Sequence, residues 1–481
     1  MGMEYLVGVD GGSQSTKVLI FDRDGHIVAQ GTENLRPLSL PREGVAEHPG
    51  DDLWDSLVRA SRKAMEAFPG KIGEIVGLGV CTIRCCRVLL KEDLSLASPV
   101  ISWMDLRLAR PYEHEDPAVR YVTTTTGYIG AKLTGRKLDT CSNLLGQWPV
   151  DYETFDWSDD PAYFKKFNIP RRMLFDLVRP GEKLGGLTRG AAEALGLPEG
   201  LPVAATASDK AVEALGCGPL PEGTALLSLG TYICSMVEAP RHLPDGENFF
   251  TNMASEPFKY LYESGGIRRG MSTLSWARDL AGRDAELAAE KQGLSLENYL
   301  NKLAADLPPG SEGLLTVPEW LAPPNALHKK GVMLGFTGRT TPVHMYRSVM
   351  EAIALTMGGN LEKMARELGV DLQEVVVSGG GSNGDLFMSV IADVTGLPAR
   401  RTEVNGAVGL GSAVCASVAV GLRESFAEAL GAMVHPGESF RPNPDNSLFY
   451  RKLYDEVYRD ITLSTDPVLA KAWRVFNPDG A

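Results

Sequence analysis

Short apolar runs alternate along the chain with amphipathic stretches, and the hydrophobic period changes from one to the next. EYLVGVD, residues 4–10, is a near-continuous apolar run and reads as a buried strand. KVLIFDRDG reads as a second strand closing on a turn at Asp24-Gly25, and HIVAQG continues the meander. In DDLWDSLVRASRKAMEAF the residues Trp54, Leu57, Val58, Met65 and Phe68 fall at helical spacing, and Pro69-Gly70 stops the helix. EIVGLGV follows as another buried strand. Strands alternating with helices predict an α/β fold.

A second set begins near residue 200. PVAATASD reads as strand then loop, and ALLSLGTYICSMVE as strand, glycine turn, strand. The latter echoes VGVDGGSQSTKVLIF, since both are apolar strands broken by a short Gly/Ser/Thr tip. Such an echo suggests a duplicated fold with a nucleotide held between its halves, although strand–Gly–strand is also common by chance. The Pro/Gly-rich stretch 218–223 divides the chain into residues 1–220 and 221–481. Near the C-terminus, YRKLYDEVYRDI reads as an amphipathic helix packed on the body.

Composition narrows the partners. The 481 residues are 44% hydrophobic, ample for large cores. Acidic side chains outnumber basic ones by 61 to 48, a net charge of -13. Such a surface repels phosphate backbones and anionic lipid, so neither nucleic acid nor membrane is an expected partner. No apolar run approaches the roughly 20 residues that cross a bilayer. The 7 cysteines form no CxxC pair and the 7 histidines show no HExxH or HxH spacing. A disulfide framework and a zinc site are therefore not expected, and a reducing cytoplasm fits. Three cysteines nevertheless crowd into CTIRCCR, residues 81–87, as a metal site, a redox pair or the wall of a pocket.

Chemistry concentrates at the glycine tips. In DGGSQSTK, residues 10–17, Asp10 ends a strand, and Gly11 and Gly12 allow a close backbone approach to a phosphate. Ser13, Ser15 and Thr16 offer hydroxyls and Lys17 a positive charge. Asp10 could hold Mg²⁺ directly or through water. The spacing is not that of a P-loop, and a strand follows rather than the helix of a Rossmann turn. An ordinary hairpin would use the same residues. Residues 379–384, GGGSNG, spell GxGxxG between a strand and a helix, so they read either as a dinucleotide fingerprint or as a cradle for adenosine and phosphates. Asp209, in SDKAVEALGCG, opens a helix as an N-cap, as a general base for a substrate hydroxyl, or as both.

Taken together and in order, these motifs resemble the FGGY family of carbohydrate kinases. That resemblance implies two actin-like ATPase (ribonuclease H-like) domains with an interdomain cleft. VGVDGGSQSTK is similar to the family's first phosphate motif, ISWMDLR to its sugar-side W-x-D-x-R, and SDKAVEALGCG to its catalytic-aspartate motif. SLGTYICS is similar to the second phosphate motif, ESGGIRRGMSTLSWARD to the segment ending in W-x-R-D, and SGGGSNGDLFMSVIADVTGLPA to the adenosine motif. GVMLGFTGRTTPVHMYRSVMEAIA and NGAVGLGSAV match the family's C-terminal signature and its last glycine-rich stretch. The resemblance implies an ATP- and Mg²⁺-dependent kinase acting on a primary hydroxyl of a small sugar or polyol. A ketopentose such as xylulose leads; erythritol-type polyols, glycerol and an autoinducer-type sugar follow. Asp209 would be the base, Asp10 the metal residue, and Arg84, Cys85, Trp103, Asp105 and Asp209 the acceptor side. Gly11, Gly12, Ser13, Thr16, Lys17, Gly230, Thr231, Gly270, Gly380, Gly381 and Asn383 would bind the nucleotide.

Two departures qualify the resemblance. The segment between Arg110 and YIGAKLTG is short, and the family's usual Asp-Tyr there is Gly127-Tyr128. The pocket is then truncated, more open, or completed by a second copy in a homodimer. CTIRCC replaces a Gln-Met-His-Gly or Gln-Arg-Glu-Thr motif, which puts Cys85 where a glutamate or histidine would stand. A thiol is a weak hydrogen-bond partner. These departures motivate a second reading, a pseudokinase that binds sugar and ATP without turnover. A Rossmann oxidoreductase is a distant third, because it leaves DGGSQSTK and SLGTYI unexplained. In the family register Arg84 and Cys85 face the sugar, while Cys81 and Cys86 pack as small buried hydrophobes.

Overall fold

The computed structural model of the protein describes residues 4–323, 326–404 and 406–478. Among these, strands β1 (Tyr5–Gly11), β2 (Ser15–Phe21), β3 (Ile27–Asn34), β4 (Ile75–Thr82), β5 (Lys183–Gly186) and β6 (Pro202–Ala204) build one sheet in the order β5-β6-β4-β1-β2-β3. A second sheet contains β7 (Thr224–Leu229), β8 (Ile233–Ala239), β9 (Phe249–Met253), β10 (Tyr260–Ser264), β11 (Glu374–Ser378), β12 (Ala399–Thr402) and β13 (Pro436–Phe440). Its order is β9-β10-β8-β7-β11-β12-β13.

The echo between the two hairpins is a repeated topology. β1 pairs antiparallel with β2 and parallel with β4, and β7 does the same with β8 and β11. The next strand out is antiparallel in both sheets, β3 on β2 and β10 on β8. Each central strand is buried along nearly its whole length, which is why both read as continuous apolar runs. The two glycine tips therefore occupy equivalent places in two lobes.

Helices cover the sheets where the periodicity predicts. Helix α1 (Asp52–Ala67) buries Leu53, Leu57, Ala60 and Ala64, one stripe at helical spacing, against β2 and β3. It ends at Phe68, whose backbone is extended ahead of Pro69. Helix α2 (Thr125–Thr134) follows the short segment after Arg110, and α3 (Asp209–Gly216) carries the chain toward the second lobe. Helices α4 (Gly270–Asp279), α5 (Pro342–Leu368) and α6 (Asp385–Thr395) belong with the second sheet. The C-terminal segment is two helices rather than one. Pro444–Glu456 is followed by a 3₁₀ turn at Tyr458–Asp460 and then by Ile461–Phe476. Tyr450 and Tyr458 anchor this region in a core shared with Ala352 and Leu355 of α5. No helix of the described residues is long and apolar enough to cross a membrane.

The stretch 218–223 is irregular chain, but packing does not divide there. Helix α7 (Ala407–Ala419) returns to the first lobe and lies across β1, β4 and α3. The approach is backbone to backbone. A Cβ on Gly8 would lie 1.9 Å from the Gly409 carbonyl oxygen, one on Gly79 1.9 Å from that of Ser412, and one on Gly216 1.8 Å from that of Ala407. The Ser412 hydroxyl also donates to the Val9 carbonyl at 3.0 Å. In the opposite direction Tyr112, Trp148, Trp157 and Ile169 share a core with β7, β8 and β11. The two lobes thus interlock by exchanging segments.

Gly79→Ala should cost at least the 1–3 kcal/mol typical of overpacking, because the atom it meets is helix backbone and cannot rotate away. Gly190→Ala, where an added Cβ meets nothing within 4 Å, should be close to neutral. Urea denaturation of both variants checks the difference.

Candidate active site

The first tip is built by strand register. Asp10 pairs across from Lys17 and Gly11 from Thr16, and the Gly12 N–H donates to the Ser15 carbonyl at 3.0 Å. Ser13 and Lys17 lie partly or fully open at the tip, while Asp10 ends β1 beside Cys81 of β4. Thr16 departs from the expectation. It is buried, and its hydroxyl is bonded to that of Ser56 on α1 at 2.8 Å. Side chains alternate along a strand, so Thr16 faces the helix behind the sheet and leaves the set of hydroxyls that could meet a phosphate.

The second tip is held from two sides. The Gly270 N–H donates to the Thr231 carbonyl at 2.8 Å and the Met271 N–H to that of Gly230 at 3.1 Å, which docks the start of α4 on the hairpin. A Cβ on Gly270 would sit 2.6 Å from the Gly230 oxygen. The turn of residues 379–384 abuts the end of β7. Gly379 has φ +83°, and a Cβ there would lie 2.4 Å from the Leu229 carbonyl oxygen. Gly380 and Asn383 are exposed along this turn, Gly381 is buried against Leu229, and helix α6 begins two residues after Asn383. Gly230, Thr231, Gly270, Gly380, Gly381 and Asn383 therefore form one neighbourhood.

Asp209 is the first residue of α3, but the cap is Ser208, whose hydroxyl accepts from the Ala211 N–H. Ser208 thus takes the capping role, and the Asp209 carboxylate, which accepts the Lys210 N–H at 2.8 Å, stands at the positive end of the helix. Arg84 Nε lies 3.2 Å from Asp209 Oδ1. Burial pushes the Asp209 carboxyl above its ordinary range; Arg84 and Lys210 oppose this, and Glu263 and Glu213 add to it. Asp10 is pushed up to about 6, chiefly by burial, with Lys17 opposing and Asp209 and Glu213 adding.

Two buried carboxylates that the motif reading did not single out stand beside Asp209 and Arg84. Glu213, one turn along α3, pairs with Lys210 at 2.9 Å and accepts from the hydroxyls of Ser228 on β7 and Ser378 on β11. Burial would raise its proton affinity, but Lys210 and the two serines outweigh it and the net shift is downward. Glu263, on β10, has a side chain with no exposed surface. It takes Arg84 Nη1 at 2.7 Å and Nη2 at 2.6 Å, and Asn252 Nδ2 at 3.2 Å. The signal was present in the sequence: both glutamates stand in otherwise apolar or small-residue runs, ALLSL-facing helix and YLYES strand, where a lone acid needs a partner.

On the other side of the cleft, Trp103 lines a cavity of about 310 Å³ with Ser13, Gln14, His48 and Thr231. Both hairpin tips and Trp103 thus border one space. Arg268 lies with its guanidinium 5.7 Å from the Trp103 ring centre, while Arg269 is exposed. Asp105 is buried, and both its oxygens are engaged by the Arg107 side chain and by the Ala46 and Arg107 N–H groups. It braces the loop that carries Trp103 instead of offering a free carboxylate. Cys81 and Cys86 are core residues, and Cys85 is half-buried in the left-handed region at φ 58°. After Arg110, the space a side chain at Gly127 would fill is taken by the carboxylate of Asp139, 2.5 Å from such a Cβ. Asp139 accepts from Thr123, Thr124 and Thr126, so a carboxylate stands beside position 127 although it comes from the strand that follows α2.

Sequence profiles of two domains match this chain: the N-terminal domain of the FGGY family of carbohydrate kinases over residues 5–116 and 112–216, and the C-terminal domain over residues 225–420. The chain belongs to the FGGY family of carbohydrate kinases. This FGGY kinase is 46% identical over 477 residues to the sugar kinase YgcE of Escherichia coli (strain K12), covering 99% of this chain and 97% of that one. It is 26% identical over 501 residues to an autoinducer-2 kinase of Enterobacter sp. (strain 638), covering 94% and 92%. Its fold matches that of xylulose kinase from Rhodospirillum rubrum with a TM-score of 0.79 at 24% identity, over 97% and 100% of the two chains. The two-domain actin-like fold follows, and the dinucleotide reading of residues 379–384 falls with it.

Burial raises the Cys85 thiol to about 11; Arg84 opposes, and Asp209 and Glu263 add to the rise. The kinase should therefore show Cys85 as its most accessible but sluggish thiol: iodoacetamide at pH 8 should modify Cys85 ahead of the other cysteines, yet more slowly than free cysteine. Peptide mass spectrometry over a time course measures both rates.

Proposed function

We propose that this kinase transfers the γ-phosphoryl group of ATP to a primary hydroxyl of an uncharged small sugar or polyol, with a ketopentose such as xylulose as the leading acceptor. The observation that carries the reading is the partly exposed Asp209 carboxylate, set at the start of α3 beside Arg84 and close enough to Asp10 of the first tip to feel its charge. The names of the relatives, sugar, autoinducer-2 and xylulose kinases, support the acceptor class. The Arg84 side chain supports the absence of charge on the acceptor. Its guanidinium already faces Glu263 and Asp209, so a sugar acid would bring a third anion to one cation.

In this reading the γ-phosphate lies between the two tips, cradled by Gly11, Gly12, Ser13 and Lys17 from one and by Gly230 and Thr231 from the other. Gly380, Gly381 and Asn383 hold the adenosine. Asp209 takes the proton of the attacking hydroxyl as the oxygen–phosphorus bond forms, and Trp103 and Arg84 orient the acceptor. Catalysis of this kind is mainly positioning and charge balance. Closing the lobes excludes water, which would otherwise compete as acceptor.

Asp10 suits Mg²⁺ by its chemistry, a hard carboxylate oxygen beside a phosphate cradle. Among the described residues no three histidine, cysteine or acidic side chains cluster to hold a metal, so the protein would contribute the single carboxylate and ATP the phosphate oxygens. Bound there, Mg²⁺ would supply charge neutralisation of the phosphates. Asp10→Ala should raise the Mg²⁺ concentration needed for half-maximal ADP release; an unchanged Mg²⁺ titration would remove Asp10 from the metal.

Asp209→Asn should lower kcat by roughly 10²- to 10⁴-fold, the usual scale for a lost general base. A base must be deprotonated to work, and burial raises Asp209. Activity should therefore fall with decreasing pH at a point above the ordinary carboxylate value of about 4. A coupled ADP-release screen over ketoses, polyols and aldonates, run across pH, measures both. ATP binding without turnover on any acceptor would favour the sensor reading that Cys85 motivates.

A further inference from the structure

Arg84 connects the two lobes through its guanidinium. It sits on the loop after β4 in the first lobe, while Glu263, which grips Nη1 and Nη2 at 2.7 and 2.6 Å, is on β10 of the second. The third guanidinium nitrogen, Nε, faces Asp209 at 3.2 Å. A bidentate fork fixes the plane of a guanidinium, so the direction in which Nε points follows from where Glu263 stands. Asn252 on β9 holds Glu263 in turn. The carboxylate of Glu263 is wholly enclosed, and a charge buried to that degree persists only with a partner that has no freedom to leave.

We propose that Glu263 is a positioning residue of the phosphoryl transfer: from the second lobe it orients Arg84 against the base Asp209, so that the base and its arginine are assembled by contact between the lobes. The proposal rests on Asp209 acting as the base. Its consequence is electrostatic as well as geometric. The negative charge of Glu263 shares Arg84 with Asp209 and repels the Asp209 carboxylate, and both effects keep a proton on Asp209 to higher pH. With Glu263 neutralised, Arg84 pairs with Asp209 alone; Lys210 still favours the ionised carboxylate and Glu213 and Asp10 still oppose it, so Asp209 ionises at lower pH than in wild type.

The experiment compares Glu263→Gln and Glu263→Asp with wild type in kcat, acceptor KM and the pH dependence of kcat/KM, on the same acceptor. Glu263→Gln should lower kcat roughly 10- to 100-fold, the scale of an active-site misplacement of about 1 Å, and should move the acid limb to lower pH. Glu263→Asp keeps the charge on a shorter stem, so its acid limb should stay at the wild-type pH while kcat falls. An acid limb unmoved in Glu263→Gln, with the protein folded by its urea midpoint, overturns the proposal and leaves a structural role. If Glu263→Gln does not fold, wild-type kcat in Glu263→Asp overturns it instead. A wild-type rate in Asp209→Asn overturns the base assignment itself, whereas a dead Asp209→Asn beside an unmoved Glu263→Gln profile overturns only the proposal.

Discussion

Buried carboxylates that must not be left alone govern this molecule. Asp10, Asp209, Glu213 and Glu263 converge where the lobes meet, and Lys17, Arg84 and Lys210 are the cations set against them, four negative charges to three positive. Two unit charges 3–4 Å apart interact by roughly 4–5 kcal/mol at an effective dielectric near 20, so each pairing decides a conformation. Glu213 fastens α3 to the ends of β7 and β11, and Glu263 fastens Arg84 to β10. The remaining charge is left on Asp10 and Asp209, the two groups that burial pushes upward. Close partners hold the Glu213 carboxyl below its ordinary range, whereas burial lifts Asp10 to about 6 and pushes Asp209 upward.

The same junction explains why the lobes interlock. A cleft floor assembled from both halves needs a rigid relation between them where α3 crosses. Helix α7 supplies it by lying on Gly8, Gly79 and Gly216 with no side chain between the backbones. Segments that return across 200 to 400 residues make that contact, and the core of residues 112–174 crosses in the other direction.

Much of the framework was legible in the chain because it is local. The two hairpins, the stripe of α1 and the strand before each glycine tip follow from periodicity within 10–20 residues. The repeat of the sheet was legible as an echo and became a topology only with the parallel partners β4 and β11, which lie far along the chain. The role of NGAVGLGSAV could not be read from its glycines, since the reason for them is the strand they touch. Asp10, Asp209 and Arg84 came together at the junction of the lobes, with Trp103 on a cavity shared by both hairpin tips. Thr16 and Asp105 did not, because a strand alternates and a turn needs bracing, and neither demand shows in a motif. Glu213 and Glu263 escaped because they act through partners on other elements.

The loop that carries Arg84 shows how the family pattern can be altered without dismantling the floor. Cys85 follows Arg84 with φ 58°, a region that costs a residue with a Cβ about 1–2 kcal/mol. Such a conformation persists only if the surroundings over-determine it. They do so on both sides: Arg84 is locked by Glu263 and Asp209, and Cys86 is buried in the first-lobe core. The backbone at Cys85 therefore has its direction imposed by its neighbours, and its side chain is free to vary. Under the proposed function, a thiol in place of a stronger hydrogen-bonding group would change what the site offers an acceptor while leaving Asp209, Arg84 and Glu263 where they are. Specificity and catalysis would then be separated by a single residue of sequence, the one carried by a side chain and the other by contact between the lobes.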